Sequence, residues 1–423
     1  MERSALYPWL ILMNVTFATI LGTMSASAGF VMNTNIQGTL MLSSDDLQWI
    51  TISFIMMLGT ILPLAVWLAD QHGYKKLFII GMAVFVFGSL LDGLCSNFWT
   101  FMGSRMVAGM GAGALFPLSV AIIDQTFSKE KLPFAMSLYI GLGFGVGTVA
   151  GVVTGGYLAQ YFTWQWEFFL CFLLGLPVVL ITWFVHEESP KSSPKRFDFF
   201  GYLCFIVTIA SIFIVLVSGK AQWNAEGWSS PFVIAWEVIG AVSLIVLLLY
   251  ESKCSHPLII LSLFKTKSYL LGCLSLFFVG AVLYVAQLMG VVFFDSDLHY
   301  EKSQVANYLV VQGAVLGIGS SLVAFLTKKV SVRVLTLLGM TILTISCFMN
   351  SSITLYSSHG QLFTLNLVRW IGIALAVGPA TAFALKETPI TLAGPAAVFI
   401  IVARQIGGTV STVACGDMIV ERS

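Results

Sequence analysis

Charged side chains stranded in long apolar stretches are the first candidates for chemistry, and here they are Asp92, Arg105, Glu167, Arg369 and Arg404. A charge at hydrocarbon depth costs several kcal/mol unless it is paired or reaches water. Asp92 and Arg105 lie in consecutive apolar stretches joined by a turn near Asn97. Counted from that turn their depths differ by two residues, about 3 Å of helical rise. The spacing predicts a pair, direct or bridged by water. Two readings stand: a structural ion pair at the outer interface, or a protonation site whose proton releases Arg105. Glu167, opening the sixth stretch, is a second outer-half carboxylate suited to proton coupling. Arg404 is the deepest charge, and the sequence names no partner for it; an anionic group on a bound molecule is one candidate.

Two helical stripes accompany these charges. Gly143, Gly147, Gly151 and Gly155 recur every fourth residue, a bare ridge on one helix face. In a bilayer such a ridge lets a second helix approach backbone to backbone, either as a sliding contact or as static packing. Thr16, Thr19, Thr23 and Ser27 form a hydroxyl stripe on the first helix. Hydroxyls in that pattern line a watered cavity or bond back to their own helix.

The elements that position these residues must cross a membrane. The chain of 423 residues is 58% hydrophobic and 10% charged, against roughly 25% charged in soluble domains, and its mean hydropathy is +0.92. Thirteen segments of spanning length lie at 8–32, 47–69, 77–96, 99–123, 133–159, 166–185, 199–219, 231–250, 269–293, 304–326, 333–350, 361–384 and 391–418. With the N-terminus inside, predicted inner segments hold fifteen Lys and Arg residues and predicted outer segments hold three. Trp164, Trp166, Trp223 and Trp228 fall at outer interfaces, as in an aromatic belt. The N-terminal apolar run is too long for a cleaved signal and reads as a retained first helix.

Several function classes drop out. A net charge of +1 argues against nucleic acid or another polyanion as partner. The seven cysteines show no ligand spacing, and all five histidines fall in loops or at helix ends. No HExxH, GxSxG or phosphate-binding loop is present, so neither an enzyme, a metal site nor a cofactor is expected.

The chain also suggests a duplication. VWLADQHGYKKLF (66–78) is echoed by AFLTKKVSVRVL (324–335), and SRMVAGMGAGALFP (104–117) by VRWIGIALAVGP (368–379), which holds Arg369. The echoes sit eight helices apart, so helices 9–13 repeat helices 1–5, with helices 7 and 8 inserted. Residues 1–190 then form a six-helix bundle, 191–260 two accessory helices with linkers, and 261–423 an incomplete five-helix bundle.

These pieces resemble the major facilitator superfamily, specifically the fourteen-helix drug:proton antiporters of the EmrB/QacA type. WLADQHGYKKLF resembles the loop between helices 2 and 3, RMVAGMGAG the helix-4 arginine motif, and the glycine ridge the helix-5 antiporter motif. WQWEFF (164–169), PLIILSLFK (257–265) and GPAAVFIIVARQIGG (394–408) extend the match. The resemblance implies an all-α fold of two six-helix bundles plus two accessory helices, in a bacterial cytoplasmic membrane with the N-terminus inside. It implies alternating access, with proton influx driving export of amphipathic small molecules. It makes Asp70, Gly73, Lys75 and Lys76 a conformational latch; inner-surface charges placed by topology alone would look the same. A periplasmic adaptor protein is a candidate partner.

The departures bear on coupling. Gly22 stands where the family has an aspartate, and Val152 where it has the helix-5 proline. Lys328 replaces the aspartate of the second loop, and a counterpart of the family's fourteenth helix is not found. Two alternatives follow: an uncoupled facilitator or uptake carrier, and a degenerate carrier without transport activity.

Overall fold

The computed structural model describes residues 6–128, 131–188, 197–219, 221, 223–254, 260–292, 302–327, 329–351, 357, 359–388 and 393–420. Among these the chain is helical throughout. The first half comprises α1 (Tyr7–Leu40), α2 (Ser44–His72), α3 (Tyr74–Leu94), α4 (Phe98–Thr126), α5 (Leu132–Ile140), a π-helical turn (Gly141–Val146), α6 (Gly147–Tyr161) and α7 (Gln165–Val185). Then come α8 (Phe199–Ser218), α9 (Pro231–Glu251) and the short α10 (Leu261–Phe264). The second half holds α11 (Lys267–Val292), α12 (Lys302–Leu326), α13 (Val332–Asn350), α14 (His359–Leu385) and α15 (Ala393–Val420).

A helix stands over each of the thirteen predicted stretches. Eleven helices, with Phe134–Tyr161 taken as one, are long and apolar enough to cross a membrane among the described residues; α12 and α15 are outside that number. Local chemistry sets several boundaries. Ser43 caps α2 in a reciprocal box with Asp46, and Asn97 caps α4 through the Thr100 amide at 3.0 Å. Gly73 separates α2 from α3 at a φ of 103°, which favours glycine.

The predicted duplication has a counterpart in packing. α1 lies on α6, α2 on α4 and α3 on α4; likewise α11 lies on α15, α12 on α14 and α13 on α14. α8 and α9 pair with each other, and α8 leans on α2, where the Tyr202 hydroxyl donates to Thr60 O (3.2 Å). The halves meet along two seams, α12 against α5–α6 and α15 against α2. At the end where α1 begins, Trp9, Phe127, Phe134 and Phe325 form a chain of edge-on rings across the first seam.

The glycine ridge packs on α1, inside its own bundle. A Cβ at Gly147 would lie 3.0 Å from Ile20 Cα, and one at Gly155 would lie 3.2 Å from Ala28 Cβ. The hydroxyl stripe fastens this contact. Thr19 Oγ1 is 2.9 Å from the Tyr139 hydroxyl, Thr23 Oγ1 is 2.9 Å from Gly143 O, and Ser27 Oγ is 3.2 Å from Thr148 O. A different glycine pair serves the seam between halves: a Cβ at Gly145 would sit 2.8 Å from Gly317 Cα on α12. The helix is also interrupted by a π turn, Gly141–Val146, which ends six residues before Val152. Trp164, expected at a lipid interface, is instead buried against Phe101 and Phe168, with ring centroids 5.1 and 6.0 Å apart.

Because Gly151 meets the α1 backbone, Gly151→Leu is expected to abolish folding or sharply lower the melting temperature of the solubilised protein. Gly29→Ala, whose Cβ would meet nothing within 4 Å, is expected to melt as the parent does. Equal melting of both variants would contradict this packing.

Candidate functional site

The two seams flank a partly open space of ≈ 100 Å³. The first half supplies its wall from α1, α2, α4 and the α5–π–α6 rod; the second half supplies it from α11, α12, α14 and α15. Phe54, Phe116 and Phe144 provide flat apolar surface, and Thr23, Ser27, Thr148, Ser320 and Gln405 provide a few polar points. Such a wall suits an apolar molecule held by a small number of oriented contacts. Among the described residues, Arg404 is its one charged residue.

Behind Phe54 lies the pair anticipated from helix depth. Asp92 is fully buried, and its Oδ2 is 3.4 Å from Arg105 Nη1. The Ser104 hydroxyl donates to Asp92 Oδ1 at 2.6 Å, and Arg105 Nη1 donates to Ser25 Oγ at 2.9 Å. The guanidinium also stacks on Phe54, 4.2 Å from the ring centroid, and approaches Phe168 at 5.4 Å. Phe54 thus touches Arg105 and also belongs to the cavity wall. Ser25 likewise belongs to the α1 turn whose neighbours Ala26 and Ser27 line the cavity. Sequence reading named the two charges but neither serine nor the phenylalanine, because only the crossing of α1, α2 and α4 brings them together.

Glu167, at the start of α7, is buried with neither carboxyl oxygen hydrogen-bonded. The neighbouring Thr154 hydroxyl is directed to Ala150 O at 2.6 Å. Arg404 Cζ lies 5.1 Å from the centroid of Phe144, across the seam between the halves. Arg369 is half-buried on α14 beside the buried Trp370 and does not line the cavity.

The loop residues sit elsewhere. Asp70 accepts a hydrogen bond from the Tyr74 hydroxyl at 2.6 Å, and the Glu188 side chain occupies the space a Cβ at Gly73 would need. Lys75 is half-buried and Lys76 exposed. Lys328, of the mirror loop, lies outside the described residues. Nearby, His186 follows the last residue of α7 in contact with Asn14 (3.2 Å), and burial together with Lys75 pushes its imidazole down to about 4. It therefore stays neutral at any pH well above that value and is no source of pH dependence near neutrality.

Like bundles closing on a central, mostly apolar cavity define a secondary carrier. The chain belongs to the Major Facilitator Superfamily, which residues 15–412 match. It is 28% identical over 391 residues to the multidrug resistance protein Stp of Mycobacterium tuberculosis, covering 91% of this chain and 71% of that one. To the multidrug export protein EmrB of Escherichia coli it is 27% identical over 288 residues, 66% of this chain and 56% of that one. Among solved structures, the proton:xylose symporter XylE superposes with a TM-score of 0.70 at 14% identity, over 98% of this chain and 90% of that one. A bacterial homologue of the human lysosomal transporter Spinster, inward-facing and unoccupied, gives 0.64 at 18%, over 97% and 82%. The chain is a multi-pass membrane transporter and not an enzyme.

Ser25 completes the shell of a buried guanidinium, so Ser25→Ala is expected to lower unfolding stability by about 1–2 kcal/mol. Ser25→Thr should recover most of the loss in a denaturant titration of the solubilised protein. An unchanged midpoint in Ser25→Ala would show that Arg105 is satisfied without that hydroxyl.

Proposed function

We propose that this chain is a secondary active exporter of amphipathic small molecules, driven by proton influx and working by alternating access through thirteen spans. The observation that carries the reading is the cavity shared by both halves, with the Asp92–Arg105 pair set directly behind its Phe54 wall. Relatives named as multidrug resistance and multidrug export proteins support the substrate class. On this reading a proton on Asp92 removes the anion that holds Arg105. The guanidinium then leans on Ser25 and Phe54, and so on the α1 and α2 walls of the cavity. Glu167, buried at the adjoining end of α7, is the second candidate proton acceptor. Asp70, Gly73, Lys75 and Lys76 form the latch at the turn between α2 and α3. The setting is a bacterial cytoplasmic membrane with the N-terminus inside.

One observation favours a second reading, an uncoupled facilitator: among the described residues no carboxylate lines the cavity. Proteoliposomes with an imposed pH gradient separate the two. With lipophilic dyes as probes, coupled export predicts flux that rises with the gradient and collapses when an ionophore dissipates it. Asp92→Asn should flatten that dependence. Flux that survives the ionophore, or full gradient dependence in Asp92→Asn, would overturn proton coupling through this pair.

A further inference from the structure

We propose that Arg404 receives the negative charge of the transported molecule, so that the cavity selects amphipathic organic anions over cations. The inference rests on the export reading only in taking the cavity to be the transport path; the binding claim is independent of it.

The two arginines beside the cavity have opposite surroundings. Arg105 has Asp92, Ser25 and two aromatic faces. Arg404 has no carboxylate partner and no side-chain hydrogen bond among the described residues, and its one close neighbour of note is the Phe144 face. Its surroundings offer no second anion. The Tyr284 hydroxyl donates to Gln405 Oε1 at 2.6 Å, and the Tyr139 hydroxyl is engaged with Thr19 at 2.9 Å. A guanidinium in a water-poor wall without a counter-ion is unfavourable. An anion that enters the cavity supplies what the protein omits.

Placement and shape agree with this role. Gly280 on α11 faces Arg404, where a Cβ would crowd the Arg404 carbonyl and lie 3.0 Å from its Cγ, so the missing side chain lets α15 pack close at this position. The guanidinium carries planar, bidentate donor geometry that matches a carboxylate or sulfonate. The rings of Phe54, Phe116 and Phe144 line the same space and suit a flat apolar body. A lipophilic cation meets the reverse: among the described residues the wall offers it no carboxylate, and its charge is repelled by Arg404. Because Arg404 comes from α15 and Phe144 from the π turn, an anion bound there sits on the seam that must move.

The test uses one ring system in three charge states: 1-naphthoate, 1-naphthamide and 1-naphthylmethylammonium, with 1-naphthalenesulfonate as a second anion. Binding to the purified full chain is read by equilibrium dialysis, and transport by uptake into proteoliposomes under an imposed pH gradient. The expected result is that both anions bind at least roughly tenfold tighter than the amide, and the ammonium least. Arg404→Gln should remove that preference while leaving amide binding unchanged, and Arg404→Lys should keep part of it. Melting temperature shows whether each variant is folded; if Arg404→Gln is not, Arg404→Lys still weakens both anions selectively if the inference holds. Tighter binding of the ammonium, or equal loss of all ligands in the folded variants, would overturn the anion site. Arg404-dependent anion binding without gradient-driven uptake would leave the anion site standing and sink the export reading. Gradient-driven uptake of the ammonium alone would do the opposite.

Discussion

A guanidinium at hydrocarbon depth has to be neutralised, hydrated or stacked, and the layout of this protein follows from how that is done at two positions. Arg105 is neutralised inside one bundle. Asp92 supplies the charge, Ser25 and Ser104 take up the remaining polar atoms of the pair, and Phe54 and Phe168 cover it. Arg404 is left to the cavity, with an aromatic face and no acid. The first arrangement ties α1, α3 and α4 together. The second leaves a positive charge where two bundles meet.

The contacts within the first half and those between the halves are of different kinds. Within the first half, a glycine ridge brings helix backbones into contact, and α1 hydroxyls bond to carbonyls across it. Van der Waals contact over a long, bare face is what association in lipid relies on, since burial of apolar surface gives little there. Between the halves the contact is of a different kind. Gly145, within the π turn, meets Gly317 backbone to backbone. Smooth backbone against smooth backbone is a surface on which two rigid bodies can shift. Phe54 both touches Arg105 and lines the cavity, so it connects the buried pair with that space.

The fold was largely readable from sequence because hydrocarbon imposes one simple demand, long apolar helices, and because positive charges mark one side. The Asp92–Arg105 contact was readable for the same reason: two opposite charges at matching depth have few alternatives. The ridge was visible, but not its partner. Four-residue spacing says that a face is bare, not which helix fills it, and the ridge, which reads equally as a sliding or a static contact, packs against α1. The seam glycines carried a signal of their own, since Gly313 and Gly317 repeat the spacing of Gly141 and Gly145. Trp164 was misplaced because tryptophan suits both an interface belt and an aromatic core; the rings of Phe101 and Phe168 decided for the core. Ser25, Ser104 and Phe54 had no signal at all, being ordinary residues made important by a crossing.

The central claim is that the cavity between the bundles is a transport path open by turns to each side. Ser320 lines it from α12 and makes a direct reporter. With the native cysteines replaced, Ser320→Cys would be exposed to a membrane-impermeant thiol reagent added to one face or the other of oriented vesicles. Alternating access predicts labelling from both faces, slowed by a bound transported compound. Labelling from neither face, or from one face only under every condition, would contradict it.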